Sequence, residues 1–455
     1  MKNGKRSSFS GKLGYVLAAA GASVGLGNIW RFPYLAAKYG GGIFLIIYIV
    51  LALTFGYTMI VAETAIGRMT RKSPVGAFKS FGKKKWLSFG GWINAVIPVL
   101  IVPYYSVIGG WVIKYLVEYF RGNAKLLAED GYFTDFISNG VSTELCFVAF
   151  CAFTLIIIFA GVQNGIERVS KIMMPILIVL SVIIAVYSVT RPGALAGVKY
   201  FLVPNVKNFS WMTVVAAMGQ MFYSLSIAMG ILITFGSYMK KDTAIEDSTR
   251  NVEIFDTGIA IMAGLMIIPA VFAFSGGDPN TLQAGPSLMF ITIPKVFQNM
   301  GFGTVIGIVF FLLVLFAAVT SSIALTESAV STFEDELGWG RKKATVLVGV
   351  IMLALGSLSS LGYGPLAEIK IIGMQFLDLF DFLTNSVMMP IAALLTSLLV
   401  SRVVGIDKIE DEIIHGESAF RRKKVFVVMI KYLCPVFAII ILLSSVANAL
   451  GWIKM

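Results

Sequence analysis

Residues 20–28 decide the fold of this chain; they read AGASVGLGN and run directly into IWRFP at 29–33. The stretch lies inside an apolar segment that is long enough to cross a membrane. Three glycines, together with Ser23 and Asn28, do not favour an uninterrupted helix. Unpaired backbone groups are so costly in hydrocarbon that irregular chain persists there only beside a cavity or inside protein. We therefore predict that a membrane helix breaks here and that its freed backbone groups bind a ligand.

The composition is that of a polytopic membrane protein. The chain of 455 residues is 57% hydrophobic and 14% charged, with a mean hydropathy of +0.84, whereas soluble domains average about 25% charged residues. A net charge of +12 would suggest a nucleic-acid partner in a soluble chain, but here the placement of the charges matters more. The three cysteines have no metal spacing and the single histidine, His415, lies in a charged loop. We therefore expect a protein that is not an enzyme.

Eleven apolar runs are long enough to span a bilayer. They lie at residues 13–37, 41–68, 87–118, 143–161, 166–190, 211–238, 247–274, 303–332, 343–361, 372–401 and 425–449. Most of the 37 basic residues, including the clusters at 83–85 and 421–424, fall in alternate connections. The positive-inside rule then predicts a cytoplasmic N-terminus and an external C-terminus. Two longer connections, 119–142 and 275–302, would be external, and apolar stretches in the second favour short helices.

A second interruption lies in the sixth run. Residues 219–230 read GQMFYSLSIAMG, in which Ser224 and Ser226 weaken the helix at mid-depth. A pair of interrupted helices at corresponding positions in two halves indicates a transporter built from inverted repeats. We predict an all-α integral membrane protein with eleven transmembrane helices in one domain, 1–455. Its parts are a first five-helix repeat at about 13–190, an inverted second repeat at about 211–401 and an extra helix at about 425–449.

Specific motifs follow one another along the first ten runs. They are GASVGLGNIWRFPY at 21–34, GGGIF at 40–44, ETAIGR at 63–68, YY at 104–105, GQMFYSLS at 219–226, GPSLMF at 285–290, TSS at 320–322 and EDEL at 334–337. Together they resemble the neurotransmitter:sodium symporter family, in particular its bacterial branch of eleven-helix amino-acid transporters. The resemblance implies a leucine-transporter-like fold in which helices 1 and 6 are broken.

The first break suits two kinds of ligand. The N-terminus of its outer half offers N–H groups and the positive end of the helix dipole to a carboxylate, and the last carbonyls of its inner half suit a hard cation. The resemblance implies that the N–H groups of Leu26 and Gly27, with the Tyr105 hydroxyl, bind the substrate carboxylate. Amine-carrying relatives have an aspartate at position 25. Gly25 leaves room for a substrate that brings its own carboxylate, which indicates an amino acid.

The resemblance also implies a substrate pocket without charged side chains. Its residues are Ala22, Ser23, Leu26, Gly27, Ile101, Tyr105, Tyr223, Ser224, Ser226, Met229, Ser321 and Leu325. We therefore expect a neutral hydrophobic or aromatic L-amino acid, and the flexible Met229 beside the small Ala228 suits a bulky one. Helix packing alone would explain any one of these residues, so the prediction depends on their convergence on the two breaks.

Two sodium ions are implied, and no organic cofactor. Site 1 would consist of the Ser23 carbonyl, the side chains of Asn28 and Asp256, and Ser224 through both its carbonyl and its hydroxyl. Site 2 would consist of the carbonyls of Gly21, Val24 and Ala317 with the hydroxyls of Thr320 and Ser321. Positions 317, 320 and 321 share one face of a helix, although such a hydroxyl pair can equally serve as interhelical glue.

Asp256 departs from the family, most of whose members have an asparagine at this position. An acid inside a membrane span is costly unless a cation pairs with it. We interpret Asp256 as a sodium ligand that also supplies the negative charge that chloride provides in animal relatives, so that transport would be chloride-independent. The alternative is a loop acid at the cytoplasmic end, beside Arg250.

Residues on either side of the pocket match the family's gates. They are Arg31, Gln220 and Asp381 on the outer side, with the Tyr223 ring, and Arg6, Tyr238 and Asp335 on the inner side. The alternative for Arg6 and Asp335 is ordinary solvated charge. Glu63, in the second run, is predicted to brace a broken helix rather than to touch the substrate.

We therefore expect a sodium-coupled symporter that imports its amino acid by alternating access across a plasma membrane, such as a bacterial inner membrane. Its expected partners are the amino acid, sodium and the lipid bilayer, and no nucleic acid. A proton-coupled amino-acid transporter of similar fold is an alternative, but Thr320 and Ser321 at the second site are not titratable. An amino-acid sensor that binds without transporting is a further alternative.

Overall fold

The computed structural model describes residues 6–276, 285–449 and 452, and within them the chain is helical. In chain order the helices are α1 (Lys12–Ser23), α2 (Gly27–Lys38), α3 (Gly42–Thr70), α4 (Pro74–Lys79), α5 (Lys85–Phe120), α6 (Ala124–Leu127), α7 (Tyr132–Ser138), α8 (Gly140–Phe159), α9 (Val162–Val189), α10 (Ala194–Leu202), α11 (Trp211–Ser224), α12 (Ile231–Ser237), α13 (Ile245–Ser275), α14 (Leu288–Gln298), α15 (Gly303–Leu337), α16 (Arg341–Leu361), α17 (Phe376–Val404), α18 (Ile406–Ile414) and α19 (Lys423–Asn448). The predicted all-α class is confirmed.

Nine helices among the described residues are long and apolar enough to cross a membrane, namely α3, α5, α8, α9, α13, α15, α16, α17 and α19. The pair α1–α2 is a tenth candidate and bends by 53° between its two halves. The break predicted in the first run is thus confirmed. The sixth run forms two shorter helices, α11 and α12, on either side of residues 225–230. The count of eleven spans and the inverted repeat stay predictions.

The backbone at the second break has dihedral angles that a right-handed helix does not allow. Ser226 has φ 52°, Ala228 has φ 59° and Gly230 has φ 69°, so three residues of the break are left-handed. Left-handed backbone is costly for residues other than glycine and needs outside support. The Glu63 Oε1 atom provides it by accepting the Ala228 N–H at 2.8 Å. The predicted bracing role of Glu63, on α3, is therefore confirmed.

The helix α1 lies in the middle of the molecule, where it packs against α9, α13 and α15. Its residues from Gly14 to Ser23 are all buried. Small side chains allow this close packing; a Cβ at Gly21 would come within 3.1 Å of the Thr320 Cβ on α15. The break at the end of α1 is therefore surrounded by protein on all sides, as irregular backbone at membrane depth requires.

Short helices lie in several connections between the long ones. The helix α14 occupies the predicted external connection 275–302, of which residues 277–284 lie outside the described residues. The helices α10 and α18 are not predicted by the apolar pattern, because each is only nine residues long. In α18 the buried Ile409 and Ile413 are four residues apart and form a narrow apolar face.

Candidate functional site

A cavity of about 360 Å³ lies at the two breaks. All twelve residues of the predicted substrate pocket line it, together with Gly25 and Asn28. They come from α1, α2, α5, α11, α15 and the segment 225–230. Among the described residues that line the cavity, none has a charged side chain. The arrangement can enclose a small molecule that carries its own charges.

One end of the cavity is polar because backbone groups of the break between α1 and α2 lie there. The Leu26 N–H donates to the Tyr105 hydroxyl at 3.3 Å, so both groups face the same point. A Cβ on Gly25 would lie 2.7 Å from the Ser321 Oγ and 3.0 Å from the Tyr105 hydroxyl. A side chain at position 25 would therefore push the Ser321 and Tyr105 hydroxyls away, whereas with glycine the backbone N–H groups and the phenol hydroxyl are left as the donors that a carboxylate needs.

The other end of the cavity is apolar. Ile101, Met229 and Leu325 line it, and all three are buried. The Ser226 Oγ donates to the Ala22 carbonyl at 3.0 Å and thereby ties the second break to the first. An apolar or aromatic side chain suits this end, since no buried polar group there requires a partner from the ligand.

Asp256 lies at the centre of a hydrogen-bonded cluster and is fully buried. Its Oδ1 accepts from the Asn28 amide at 2.8 Å and from the Ser224 hydroxyl at 2.9 Å. The Tyr48 hydroxyl donates to its Oδ2 at 3.0 Å. The interpretation of Asp256 as a loop acid is therefore wrong. The side chains of Asn28, Ser224 and Asp256 that were predicted for sodium site 1 come together here.

Tyr48, on α3, is a member of this cluster that the sequence analysis missed. Besides Asp256 it donates to the Ser224 hydroxyl at 3.2 Å. A sequence signal was present, because Tyr48 lies inside a predicted membrane span, about two helical turns from its start, and not at its end, where tyrosine is common. The periodicity of the span did not show which helix its hydroxyl faces.

The residues predicted for sodium site 2 also lie together. The Ser321 hydroxyl is 3.2 Å from the Gly21 carbonyl and 3.4 Å from that of Val24. The Thr320 hydroxyl lies 3.2 Å from the Ala317 carbonyl. The Ser321 hydroxyl thus joins α15 to the carbonyls at the first break, whereas the contact of Thr320 with Ala317 lies within α15.

Two side-chain contacts cover the side of the cavity that is predicted to be external. The Gln220 side chain donates to the Gly27 carbonyl at 3.0 Å, and the Arg31 guanidinium lies over the Tyr223 ring at 5.2 Å. The Asp381 carboxylate accepts a hydrogen bond from the Tyr104 hydroxyl at 3.2 Å. Among the ion pairs of the described residues there is none between Asp381 and Arg31. Both charged residues line a vestibule on the side of the cavity that is predicted to be external.

The inner side is closed by direct contacts. Arg6 pairs with Asp335 at 2.6 Å, donates to the Ser331 hydroxyl at 2.8 Å and lies over the Tyr238 ring at 5.0 Å. Burial disfavours the charged form of Arg6, but its neighbours Tyr238 and Asp335 outweigh this and raise its pKa above the ordinary value. The interpretation of this pair as ordinary solvated charge is therefore wrong. Glu327, which accepts from Tyr238 and from Arg341, extends the network and was not predicted.

Comparison with known proteins finds one family and relatives of it from bacteria and animals. A sequence model described as "Sodium:neurotransmitter symporter family" matches residues 6–127 and 135–452. An uncharacterized sodium-dependent transporter of Bacillus subtilis strain 168, YhdH, is 34% identical over 450 residues, which are 98% of this chain and 99% of that protein. The human sodium- and chloride-dependent GABA transporter 2 is 26% identical over 475 residues, covering 90% of this chain and 75% of that protein.

A solved structure is similar over the whole fold. The crystal structure of MhsT in complex with L-phenylalanine aligns with a TM-score of 0.86 and 35% sequence identity. The alignment covers 97% of this chain and 100% of the other.

Proposed function

This chain belongs to the sodium:neurotransmitter symporter family, and from that premise we propose that it imports a neutral hydrophobic or aromatic L-amino acid together with sodium. It is a multi-pass membrane protein and a sodium-dependent symporter of that family. The observation that carries the amino-acid proposal is the cavity at the first break. It has backbone and phenol donors at one end, apolar side chains at the other and, at position 25, a glycine whose replacement would push the Ser321 and Tyr105 hydroxyls away.

The donors at the first break support recognition of a carboxylate. The N–H groups of Leu26 and Gly27 lie at the N-terminus of α2, where the helix dipole is positive. A substrate amine would then lie near the carbonyls at the ends of α1 and α11, where partial negative charge collects. MhsT, which is 35% identical, binds L-phenylalanine in its crystal structure. The apolar end of the cavity supports the same side-chain class here.

Two sodium ions travel with the substrate in this proposal. One is held by Asp256, Asn28, Ser224 and the Ser23 carbonyl. The other is held by the oxygens of Gly21, Val24, Ala317, Thr320 and Ser321. Because Asp256 supplies a full negative charge to the first cluster, we propose that transport requires no chloride. The human relative is named for its dependence on chloride.

Alternating access would use the contacts above and below the cavity. Opening of the inner side requires that the Arg6–Asp335 ion pair and the contact of Arg6 with Tyr238 break. On the outer side, Arg31, Gln220, Tyr223 and Asp381 separate the cavity from the vestibule. We further propose a cytoplasmic N-terminus and an external C-terminus in a plasma membrane, with two inverted repeats.

The test is uptake of labelled L-phenylalanine into proteoliposomes under an inward sodium gradient, with each of the twenty amino acids as competitor. We expect hydrophobic and aromatic L-amino acids to compete, and charged ones not to compete. Replacement of external sodium by choline should abolish uptake. Uptake that survives choline would contradict sodium coupling and favour the proton-coupled alternative, whereas binding without flux would favour the sensor.

A further inference from the structure

A row of polar contacts, here called the polar seam, runs between α3 and α13. It begins at the Asp256 cluster beside the substrate cavity and leads away from the cavity. At one point Tyr48 of α3 meets Asp256 of α13 at 3.0 Å, and at another Tyr57 of α3 meets Glu246 of α13 at 2.8 Å. The residue numbers rise along α3 as they fall along α13, so the two helices run antiparallel. The seam leads from the Asp256 cluster to the end of α13 on the Arg6 side, where Asp247 pairs with Lys12.

Glu253 lies in this seam between the two contacts. Positions 246, 249, 253 and 256 are spaced by three or four residues, so they share one face of α13, and all four are buried. On the α3 side, α13 contacts a π-helical turn at Ala52–Gly56, an irregularity that is frequent at functional sites. Three carboxylates therefore line one helix face. Glu253 and Asp256 lie within the predicted span 247–274, where acids commonly mark ion pathways, and Glu246 lies just before it.

The environment of Glu253 differs from that of the other two acids. The side chain is only 2% exposed, and its Oε1 has no hydrogen-bond partner among the described residues. Its Oε2 lies 3.4 Å from one nitrogen of Arg422, a residue in the connection between α18 and α19. Glu246, by contrast, accepts from the Tyr57 hydroxyl and from two backbone N–H groups. Glu253 is thus a buried carboxylate of which one oxygen accepts no hydrogen bond from the described residues.

The pairing of Glu253 with Arg422 is loose. Arg341 holds Glu327 through two bonds of 2.6 and 3.0 Å, as expected for a tight guanidinium–carboxylate pair. Arg422 makes a single longer contact, its side chain is 32% exposed, and its guanidinium lies over the Tyr57 ring at 4.7 Å. The Arg422 backbone N–H is bonded to Glu246 independently of the guanidinium. The guanidinium can therefore leave Glu253 without release of the connection.

We propose that Glu253 is a transient sodium site on the inner side of Asp256, and that Arg422 is its replaceable counter-ion. A sodium ion that leaves the Asp256 cluster would travel about one helical turn along α13 to the free Glu253 oxygen. The Thr257 hydroxyl, next to Asp256 and one helical turn from Glu253, is also unpartnered in the described structure and is a second oxygen along this path. On arrival the sodium ion replaces Arg422 as the counter-ion, so that Glu253 stays paired with one cation throughout. This inference rests on the proposed function, because it assumes sodium at Asp256.

The test compares two transport modes of the full-length protein in proteoliposomes. Net uptake of labelled L-phenylalanine under an inward sodium gradient requires release of sodium to the inside. Exchange of internal for external L-phenylalanine with equal, saturating sodium on both sides does not. For Glu253→Gln we expect net uptake to fall about tenfold, which is a barrier raised by about 1.4 kcal/mol, and exchange to stay near the wild-type rate. Preserved exchange also shows that the variant is folded.

Arg422→Gln tests the same site in the opposite direction. Without the guanidinium, Glu253 should hold sodium more tightly, so that internal sodium inhibits net uptake at a concentration about tenfold lower, equal to about 1.4 kcal/mol. The double variant should lose this sensitivity, since the two side chains act on one ion. Glu410→Gln is the matched control, because Glu410 of α18 pairs with Lys423, the first residue of α19 and the neighbour of Arg422.

The outcomes separate this inference from the proposed function. Wild-type protein that transports without sodium would contradict the proposed function itself. Sodium-driven wild-type uptake with an unchanged net rate in Glu253→Gln, or with unchanged internal sodium sensitivity in Arg422→Gln, would overturn only the role of Glu253. Equal losses of net uptake and exchange in Glu253→Gln would overturn it too, since they would assign Glu253 a purely structural role.

Discussion

The two polar clusters beside the substrate cavity differ in charge. The first is built around the buried carboxylate of Asp256, which accepts three side-chain hydrogen bonds. The second contains only carbonyls and hydroxyls, with Ser321 close to the carbonyls of Gly21 and Val24. A carboxylate attracts a cation at long range but is costly to bury alone, whereas neutral oxygens are cheaper to bury and attract it weakly. The first cluster should therefore depend on charge and the second on geometry.

Gly25 lies between the two clusters, and its replacement by aspartate should have the largest effect. The Gly25 N–H donates to Asn28 of the first cluster at 3.1 Å, and a Cβ would lie 2.7 Å from Ser321 of the second. A new carboxylate there would remove the contrast in charge and occupy the place of the substrate carboxylate. We expect uptake of L-phenylalanine to fall about 100-fold, since an unpaired acid in a span costs about 3 kcal/mol.

The control for Gly25→Asp is Gly340→Asp. It adds the same side chain in the connection before α16, where a Cβ would meet nothing within 4 Å. Both variants are reconstituted in equal amount and compared by initial uptake rate. Normal uptake by Gly25→Asp would show that the site has been misread.

Asp256→Asn should make the first cluster as neutral as the second. The lost charge weakens the cation site by about 2 kcal/mol, so the half-effective sodium concentration should rise roughly 30-fold in chloride-free buffer. Chloride should restore part of the loss, because an anion can then supply the missing charge. Sodium titration of uptake in gluconate and in chloride buffers checks this. Unchanged, chloride-independent transport by the variant would refute the role of Asp256.

Ser321→Ala should weaken the second cluster by less. It removes one neutral oxygen, which is worth about 1 kcal/mol, so we expect the half-effective sodium concentration to rise about fivefold, with no effect of chloride. Ser322→Ala is the matched control, since its hydroxyl faces Thr154 on α8 instead of the carbonyls of α1. Equal shifts in the two serine variants would argue against a special role for position 321.

Tyr48→Phe should have the smallest effect. Asp256 loses one donor but keeps those of Asn28 and Ser224. We expect the half-effective sodium concentration to change about threefold, or about 0.6 kcal/mol. Tyr115→Phe also removes a buried hydroxyl, one that donates to the Phe290 carbonyl at 2.7 Å away from both clusters. If that control shifts sodium dependence as much, the hydroxyl of Tyr48 has no particular part in the cluster.

Much of the candidate site could be predicted, because its residues lie in motifs with local signatures. Gly25 and Ser226 stand out as helix breakers within apolar runs, and the twelve predicted pocket residues all line one cavity. Tyr48 and Glu253 could not be assigned a partner in the same way. Each lies in a span whose periodicity says that a face is buried, but not which helix covers it. The partner of Glu253 is 169 residues away along the chain.

The sequence by itself determined that this is a helical membrane protein, that its first span breaks and that it resembles one transporter family. Hydropathy and helix propensity act over about 20 residues, so local sequence is enough to establish them. Only the tertiary structure decided which oxygens meet Asp256, how tightly Arg6 closes the inner side and that Glu253 keeps one oxygen free. These contacts join distant parts of the chain, and they arise from the packing of whole helices against one another.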